Sequence, residues 1–179
     1  MSLSAREILT GSFAAAWQTL DATMTGVTAD LVDRPAPGRA LALGAAYGHA
    51  VIAADNIVNG MLAGGVPLGA GEWSGRTGVS APMPMPGGES GDLGEWYRSV
   101  QIDLEACCAY AQAVWASIDS YLSSADDRAL AREIDMSVAG AGLMPAALVF
   151  LVFVTGHVNN LTGEISAIKG AFGLQGYPF

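Results

Sequence analysis

The chain is poor in charge, and poorest in positive charge. Only 14% of its 179 residues are charged, and 8 basic residues face 17 acidic ones, which gives a net charge of −9. A chain of this charge without a basic run repels the phosphates of nucleic acids and the headgroups of anionic lipids. We therefore expect no nucleic acid and no membrane among its partners.

Cysteine is scarcer still. The two cysteines, Cys107 and Cys108, are adjacent, and neighbouring helical residues point about 100° apart. The pair is therefore a poor disulfide framework and a poor metal clamp. The N-terminal residues also lack the basic, apolar and small-residue succession of a secretory signal peptide. Both absences lead us to expect a reducing, cytoplasmic setting.

No apolar run reaches the length of a membrane span. The run at residues 143–154 has twelve residues, whereas a spanning helix needs about 20. We expect this run to form a buried core helix. Hydrophobic residues make up 51% of the chain, which argues against disorder and favours a single domain over residues 1–179.

Apolar residues recur at steps of three and four along most of the chain, which is the period of an amphipathic helix. Ser4 with Glu7, and Asp92 with Glu95, have the spacing of capping boxes at helix N-termini. These patterns predict long helices at residues 4–25, 40–63, 92–122 and 144–172.

Residues 64–91 are dominated by glycine and proline and predict a loop that is longer than usual between helices. We interpret it as a crossover between the second and third helices, and a direct role in substrate binding is the alternative. Four long helices with one long crossover indicate an all-α fold, a four-helix bundle.

Histidine is as rare as cysteine, and both histidines fall within predicted helices. His49 shares one face of the second helix with Asn56, and His157 shares one face of the last helix with Leu161 and Glu164. If both faces look inward, the two imidazoles meet and form the start of a site for zinc, nickel, copper or iron(II). The alternative is a pair of interior histidines that only form hydrogen bonds. Glu164 lies roughly 10 Å along the helix from His157, too far to share an ion directly.

Several short motifs carry a family resemblance: PAPG at residues 35–38, GHA at residues 48–50, HVNNLTGEI at residues 157–165, and a closing GLQGYPF at residues 173–179. On these motifs the chain resembles the DinB-like superfamily of four-helix bundles, which includes the mycothiol-dependent maleylpyruvate isomerases. Family members commonly have histidines at the first and fifth positions of the third motif. The resemblance spans most of the chain and implies the DinB-like type of bundle.

The resemblance also implies a metal site. The family's usual triad has one histidine on the second helix and two on the fourth, and these map to His49, His157 and Leu161. Leucine cannot bind a metal, so the resemblance implies a degenerate site. Known family activities include metal-dependent thiol transfer and isomerisation, in which the metal lowers the pKa of a thiol.

Three functional hypotheses follow. The first is a degenerate DinB-like protein that binds a small molecule, or weakly a divalent metal such as zinc or nickel, in its interior, with Asn56, Asn160 and Glu164 as pocket or supporting residues. The second is a metal-dependent thiol transferase or hydrolase whose coordination is completed by water, substrate or another side chain. Asn160 is a candidate, although amide oxygen is a poor zinc or nickel ligand. The third is a non-catalytic dimerisation module, because the surplus of apolar helix faces predicts a homodimer.

Overall fold

The computed structural model describes residues 3–84 and 92–179, and these residues are mainly helical, as the sequence predicts. Two helical runs contain π-helical segments, in which the turns are wider than in an α-helix. The first π segment, Asn56–Leu62, continues α3, and the second, Phe150–Gly156, joins α7 to α8. The α-helices are α1 Ala5–Met24, α2 Ala29–Val32, α3 Leu43–Asp55, α4 Leu93–Ser99, α5 Leu104–Ser124, α6 Asp127–Ala131, α7 Ala146–Val149 and α8 His157–Ala171.

The remaining elements are short. Two 3₁₀ turns lie at Leu68–Ala70 and Ser137–Ala139, and two strands, β1 Glu133–Asp135 and β2 Leu143–Pro145, form an antiparallel hairpin in which Ile134 pairs with Met144. This hairpin leads directly into the last helical run.

The predicted start and apolar stripe of α1 are both present. The Ser4 hydroxyl accepts a hydrogen bond from the Glu7 N–H at 3.2 Å, and the Glu7 carboxylate accepts one from the Ser4 N–H at 2.7 Å, which completes the capping box. The stripe residues are all buried, and they are Leu9, Phe13, Ala16, Leu20 and Met24. Each large apolar side chain that is removed from water in this way stabilises the fold by roughly 1.5–3 kcal/mol.

The core lies between four helical runs. Helices α1 and α3 both pack against α5 and α8. At the centre, the ring of Phe13 meets Trp115 and Phe150 edge to face, with centroids 5.3 and 5.5 Å apart. This geometry is the favourable one for aromatic pairs, and it joins α1, α5 and the second π segment.

The prediction of one helix over residues 92–122 is wrong, because the chain breaks between α4 and α5. In the break, the N–H of Ile102 donates to both carboxylate oxygens of Asp33 at 3.1 Å, and the Asp103 N–H donates to the Gly78 carbonyl at 2.8 Å. The Asp103 side chain then caps α5 by accepting from the Ala106 N–H at 3.1 Å. The extended backbone is stable here because these partners satisfy groups that a helix would otherwise pair.

Ile102 in this break packs directly on α3. A Cβ atom at Gly44 would lie 2.9 Å from the Ile102 Cβ and 2.7 Å from a Val32 methyl group, so only glycine allows this approach. Ile102 also pairs with Val79 in an isolated β-bridge. The break therefore fastens the loop around residue 79 to α3. Residues 85–91 of the predicted crossover lie outside the described part of the chain.

Among the described residues, the helical run Ala146–Ala171 is long and apolar enough to cross a membrane. Length and composition do not distinguish a membrane span from a core helix. In this structure Val149, Phe150, Val154 and Ile165 are buried in the core. Leu148, Leu151 and Val152 are exposed on the same run.

Lys169, the single lysine of the sequence, is buried with 3% of its surface exposed. Its ammonium group donates hydrogen bonds to the Thr23 and Thr25 carbonyls at 2.5 and 2.7 Å, at the C-terminal end of α1. These carbonyls have no partner within the helix, and a cation is favourable there. Lys169 therefore fastens α8 to the end of α1.

We expect Lys169→Met to lower the free energy of unfolding by about 1–3 kcal/mol, since it leaves two carbonyls without their charged donor. Urea denaturation measures the change. The matched control is Arg128→Met, which removes the same charge from an exposed position in α6. Equal stabilities for the two variants would contradict the role of the buried ammonium group.

Candidate functional site

The structure brings the two histidines into contact. His49 lies in the middle of α3, and His157 is the first residue of α8, directly after the second π segment. Their Nε2 atoms are 3.1 Å apart, and their ring centroids are 4.6 Å apart. Both side chains are half-buried. The juxtaposition expected from the two helix faces is therefore present, and both rings present the same nitrogen to the space between them.

Tyr97 of α4 contacts the other side of His49. Its hydroxyl forms a short hydrogen bond with Nδ1 of His49, so a continuous chain of contacts runs from Tyr97 through His49 to His157. Tyr97 is not among the site residues predicted from the sequence, where it falls within the helix predicted at residues 92–122. The helix break at residues 100–103 was the missing information, because it separates α4 from α5.

Helix α4 is held in place mainly by Trp96. This side chain is buried, and its Nε1–H donates to the Ala81 carbonyl at 2.9 Å. Asp92 caps the helix by accepting from the Glu95 N–H at 2.8 Å. The Trp96 bond thus links the position of Tyr97 to the loop segment that contains Ala81.

Burial keeps both histidines and Tyr97 uncharged near neutral pH. It lowers the pKa of His49 to about 4, with the charge of His157 as a second cause, and it lowers the pKa of His157 as well. Burial also raises the pKa of Tyr97 to about 12, and the negative charge of Glu164 adds to this effect. The site therefore contains two neutral imidazoles and a protonated phenol.

The other predicted site residues take different positions. Leu161 is buried one turn after His157, where the resemblance places a third histidine. Glu164 is half-buried, and its charge acts on Tyr97. Asn56 is half-buried at the start of the first π segment, whereas Asn160 is exposed. Within the described ranges, no group of three or more His, Cys, Asp or Glu residues is arranged to hold a metal ion.

A cavity of about 690 Å³ lies beside α3, under the loop that contains Val79. Ile52, one turn after His49, forms part of its wall, and Val79 lies 3.8 Å from where a Cβ atom of Gly48 would be. The cavity therefore begins about one turn of α3 beyond His49, and neither His49 nor His157 belongs to its described lining. Its described lining has no basic side chain, and it consists of Ile52, Asp55, Asn56, Gly69, Ala70, Ser74, Gly75, Thr77, Val79, Ser80, Ala81, Pro82, Met83 and Tyr110.

No family model matches the sequence, and no curated protein matches it either. Among solved structures, the chain is similar to the crystal structure of a conserved protein from Enterococcus faecalis, with a TM-score of 0.71 and 15% sequence identity. The match covers 96% of this chain and 99% of the other. The two proteins share a fold, and at this level of identity the likeness concerns the fold alone.

The lowered pKa of His49 predicts that stability falls on acidification. The unfolded histidine has a pKa near 6.5 and binds a proton before the folded one, so its contribution is present above about pH 6.5 and is lost as pH falls towards about 4. We expect a loss of roughly 1–3 kcal/mol over this window. Urea denaturation at each pH, with a chelator present, measures it.

Carboxyl groups also titrate between pH 6.5 and 4 and contribute to the pH dependence of stability. The unmodified chain is therefore compared with His49→Gln, which has the same carboxyl groups. This variant should show a shallower decrease in the free energy of unfolding between pH 6.5 and 4 because it has one fewer histidine to protonate. If the slopes of the two proteins are the same, His49 is not kept neutral by its surroundings.

Proposed function

We propose that the chain is a DinB-like four-helix bundle whose His49–His157 pair binds a divalent cation, zinc or nickel, weakly, beside a cavity that takes a small molecule. The observation that carries the proposal is the 3.1 Å separation of the two Nε2 atoms. Two imidazole nitrogens on one tetrahedral zinc, with bonds of 2.0–2.1 Å, lie about 3.3 Å apart. The pair therefore fits a shared ion with little movement of either helix.

The layout of the chain supports the DinB-like assignment. His49 and His157 lie on the second and fourth of the long helical runs, in the order that the family resemblance implies. Both runs also contain a π segment, the second of which ends directly before His157, and such segments are frequent at functional sites.

The same geometry explains why we expect metal binding that is weak: the two imidazoles can bind an ion, but a third ligand is missing. Both imidazoles are uncharged, which is the form that binds a metal. However, the buried Leu161 side chain offers no donor atom where a third ligand is expected. Water, a bound molecule or a more distant group must then complete the coordination.

The lining of the cavity favours a small-molecule ligand that is neutral or positively charged. Hydroxyl and amide groups of Asn56, Ser74, Thr77 and Ser80 line it together with apolar side chains. An anionic ligand would find no basic side chain in the described lining and would face the overall charge of −9. A neutral or cationic molecule fits this lining better.

The adjoining cavity also favours a second candidate, a metal-dependent thiol transferase or hydrolase. A divalent ion at the pair would supply the acidification of a thiol or water. The chain's own residues would hold the ion through His49 and His157, exclude solvent with Leu161, and orient the ligand in the cavity. The alternative of a dimerisation module is supported by a different observation, the exposed apolar stripe at Leu148, Leu151 and Val152.

The zinc site is tested by restoring the missing ligand. Calorimetric titration with zinc chloride should give weak binding for the unmodified chain, and Leu161→His should bind at least about tenfold more tightly, which corresponds to about 1.4 kcal/mol. Three imidazoles on two helices form a zinc site with one open position. His157→Ala should abolish binding.

The matched control for this titration is Ala167→His, which adds an imidazole to an exposed position of the same helical run, outside the apolar stripe. It should leave zinc affinity unchanged. If Leu161→His and Ala167→His have the same effect, the added histidine does not join the pair and the degenerate-site proposal is wrong.

The homodimer is part of the same proposal. Light scattering should give a mass of twice the 18.3 kDa chain, and Leu151→Glu should return it to the monomer, because a buried charge disfavours an apolar interface. Val138→Glu, at another exposed apolar residue outside this stripe, is the control. A monomer mass for the unmodified chain at high concentration would contradict the dimer.

A further inference from the structure

Tyr97 and His157 contact opposite nitrogens of one imidazole. The hydroxyl of Tyr97 meets Nδ1 of His49, whereas Nε2 of His49 faces Nε2 of His157 at 3.1 Å. A neutral imidazole carries one hydrogen, on one nitrogen or the other, and the nitrogen without it has a free lone pair. Whether the Tyr97 hydroxyl donates to Nδ1 or accepts from it is therefore linked to whether Nε2 of His49, which faces His157, carries a hydrogen.

Two arrangements satisfy this link. In the closed arrangement the Tyr97 hydroxyl donates to Nδ1, so Nε2 of His49 carries the hydrogen and donates to His157. In the open arrangement Nδ1 carries the hydrogen and donates to the Tyr97 oxygen, which leaves the Nε2 lone pair of His49 free. Only the open arrangement can hold a cation between the two Nε2 atoms, since a metal binds the lone pair of a neutral ring.

We propose that Tyr97 is a positioning residue that stabilises both arrangements of His49 and thereby sets the affinity of the pair for a divalent cation. This inference rests on the proposed function of the pair. A hydroxyl is suited to the role because it donates in the closed arrangement and accepts in the open one. A hydrogen bond to the far nitrogen is also what fixes the orientation of most metal-binding histidines.

The closed arrangement should prevail without a cation. A phenol is a stronger hydrogen-bond donor than a neutral imidazole, so the hydrogen bond between the Tyr97 hydroxyl and Nδ1 of His49 favours the closed arrangement. Trp96 holds α4 through its bond to the Ala81 carbonyl, so the Tyr97 hydroxyl is kept at His49 whichever way the hydrogen points. Cation binding then requires no movement of α4, only a transfer of the imidazole hydrogen from Nε2 to Nδ1 and a rotation of the hydroxyl.

Nitrogen-15 NMR of histidine-labelled protein shows which nitrogen of His49 carries the hydrogen. We expect the hydrogen on Nε2 in the zinc-free protein and on Nδ1 after zinc chloride is added. Tyr97→Phe should reduce the share of the Nε2–H form without zinc, because Nδ1 has lost its donor. If the zinc-free variant has the same distribution as the unmodified chain, the inference is overturned.

Zinc titration provides the second measurement. Tyr97→Phe should weaken zinc binding by about 10–100-fold, the usual effect of losing a partner that orients a histidine ligand. The N–H of a metal-bound imidazole is a stronger donor than that of a free one, so loss of the Tyr97 oxygen costs the zinc-bound pair more than the loss of the hydroxyl donor costs the closed arrangement. The control is Tyr121→Phe, which removes the hydroxyl of a half-buried tyrosine in α5. Circular dichroism checks that both variants keep their helices. An affinity for Tyr97→Phe equal to that of the control would overturn the inference.

The titrations are made in the unmodified chain and in Leu161→His, so that two failures can be told apart. If only Leu161→His binds zinc, the proposed function of the unmodified chain fails, and the role of Tyr97 is decided by the effect of Tyr97→Phe in the Leu161→His background. If neither binds zinc, the proposed function and the inference are both overturned, because Tyr97 then sets no cation affinity.

Discussion

The buried carboxylate of Asp55 organises much of this structure. It is 1% exposed and accepts hydrogen bonds from Asn59 Nδ2 at 2.7 Å, the N–H groups of Leu68 and Gly69 at 2.9 and 2.8 Å, and the Tyr110 hydroxyl at 2.6 Å. A buried charge is unfavourable unless such partners surround it. Burial, followed by the hydrogen bond and charge of Asp55, raises the pKa of Tyr110, which keeps its hydroxyl a donor.

Asp55 stands where α3 passes into the first π segment, so these bonds fasten the 3₁₀ turn Leu68–Ala70 onto that junction. From this turn the chain runs along the cavity to Ala81, whose carbonyl receives the Trp96 hydrogen bond. Tyr97 follows and reaches His49. The candidate site is thus held from one side by the helices and from the other by a loop that Asp55 and the bridge between Val79 and Ile102 anchor.

The features that were predicted best from the sequence are those that local patterns determine. The Ser4 capping box and the stripe from Leu9 to Met24 are both present, and the second helix, predicted at 40–63, runs from Leu43 to Leu62 in α3 and the first π segment. The assignment of residues to helix faces also predicted that His49 and His157 meet. It succeeded because small errors in the helix ends do not alter which side of a helix a central residue occupies.

What the sequence did not reveal depends on distant partners. The three-and-four spacing runs without interruption through residues 92–122, yet Asp33 and Gly78 draw residues 100–103 into an extended conformation. Asp103 was a local signal that a new helix begins here, because aspartate is a preferred residue at helix N-caps. Tyr97 was missed for the same reason, since its contact with His49 exists only after α4 has separated from α5. The two π segments likewise have no spacing signature of their own.

The burial of Lys169 has a consequence for the chemical surface of the protein. Because Lys169 is the single lysine of the sequence and its ammonium group is enclosed between α1 and α8, the folded chain presents no lysine amine to solvent. Enzymes that acetylate or ubiquitinate lysine side chains would find no target there until the end of α1 separates from α8. The reaction of Lys169 with an amine reagent would therefore measure how often the end of α1 separates from α8. No label would have to be introduced for this measurement.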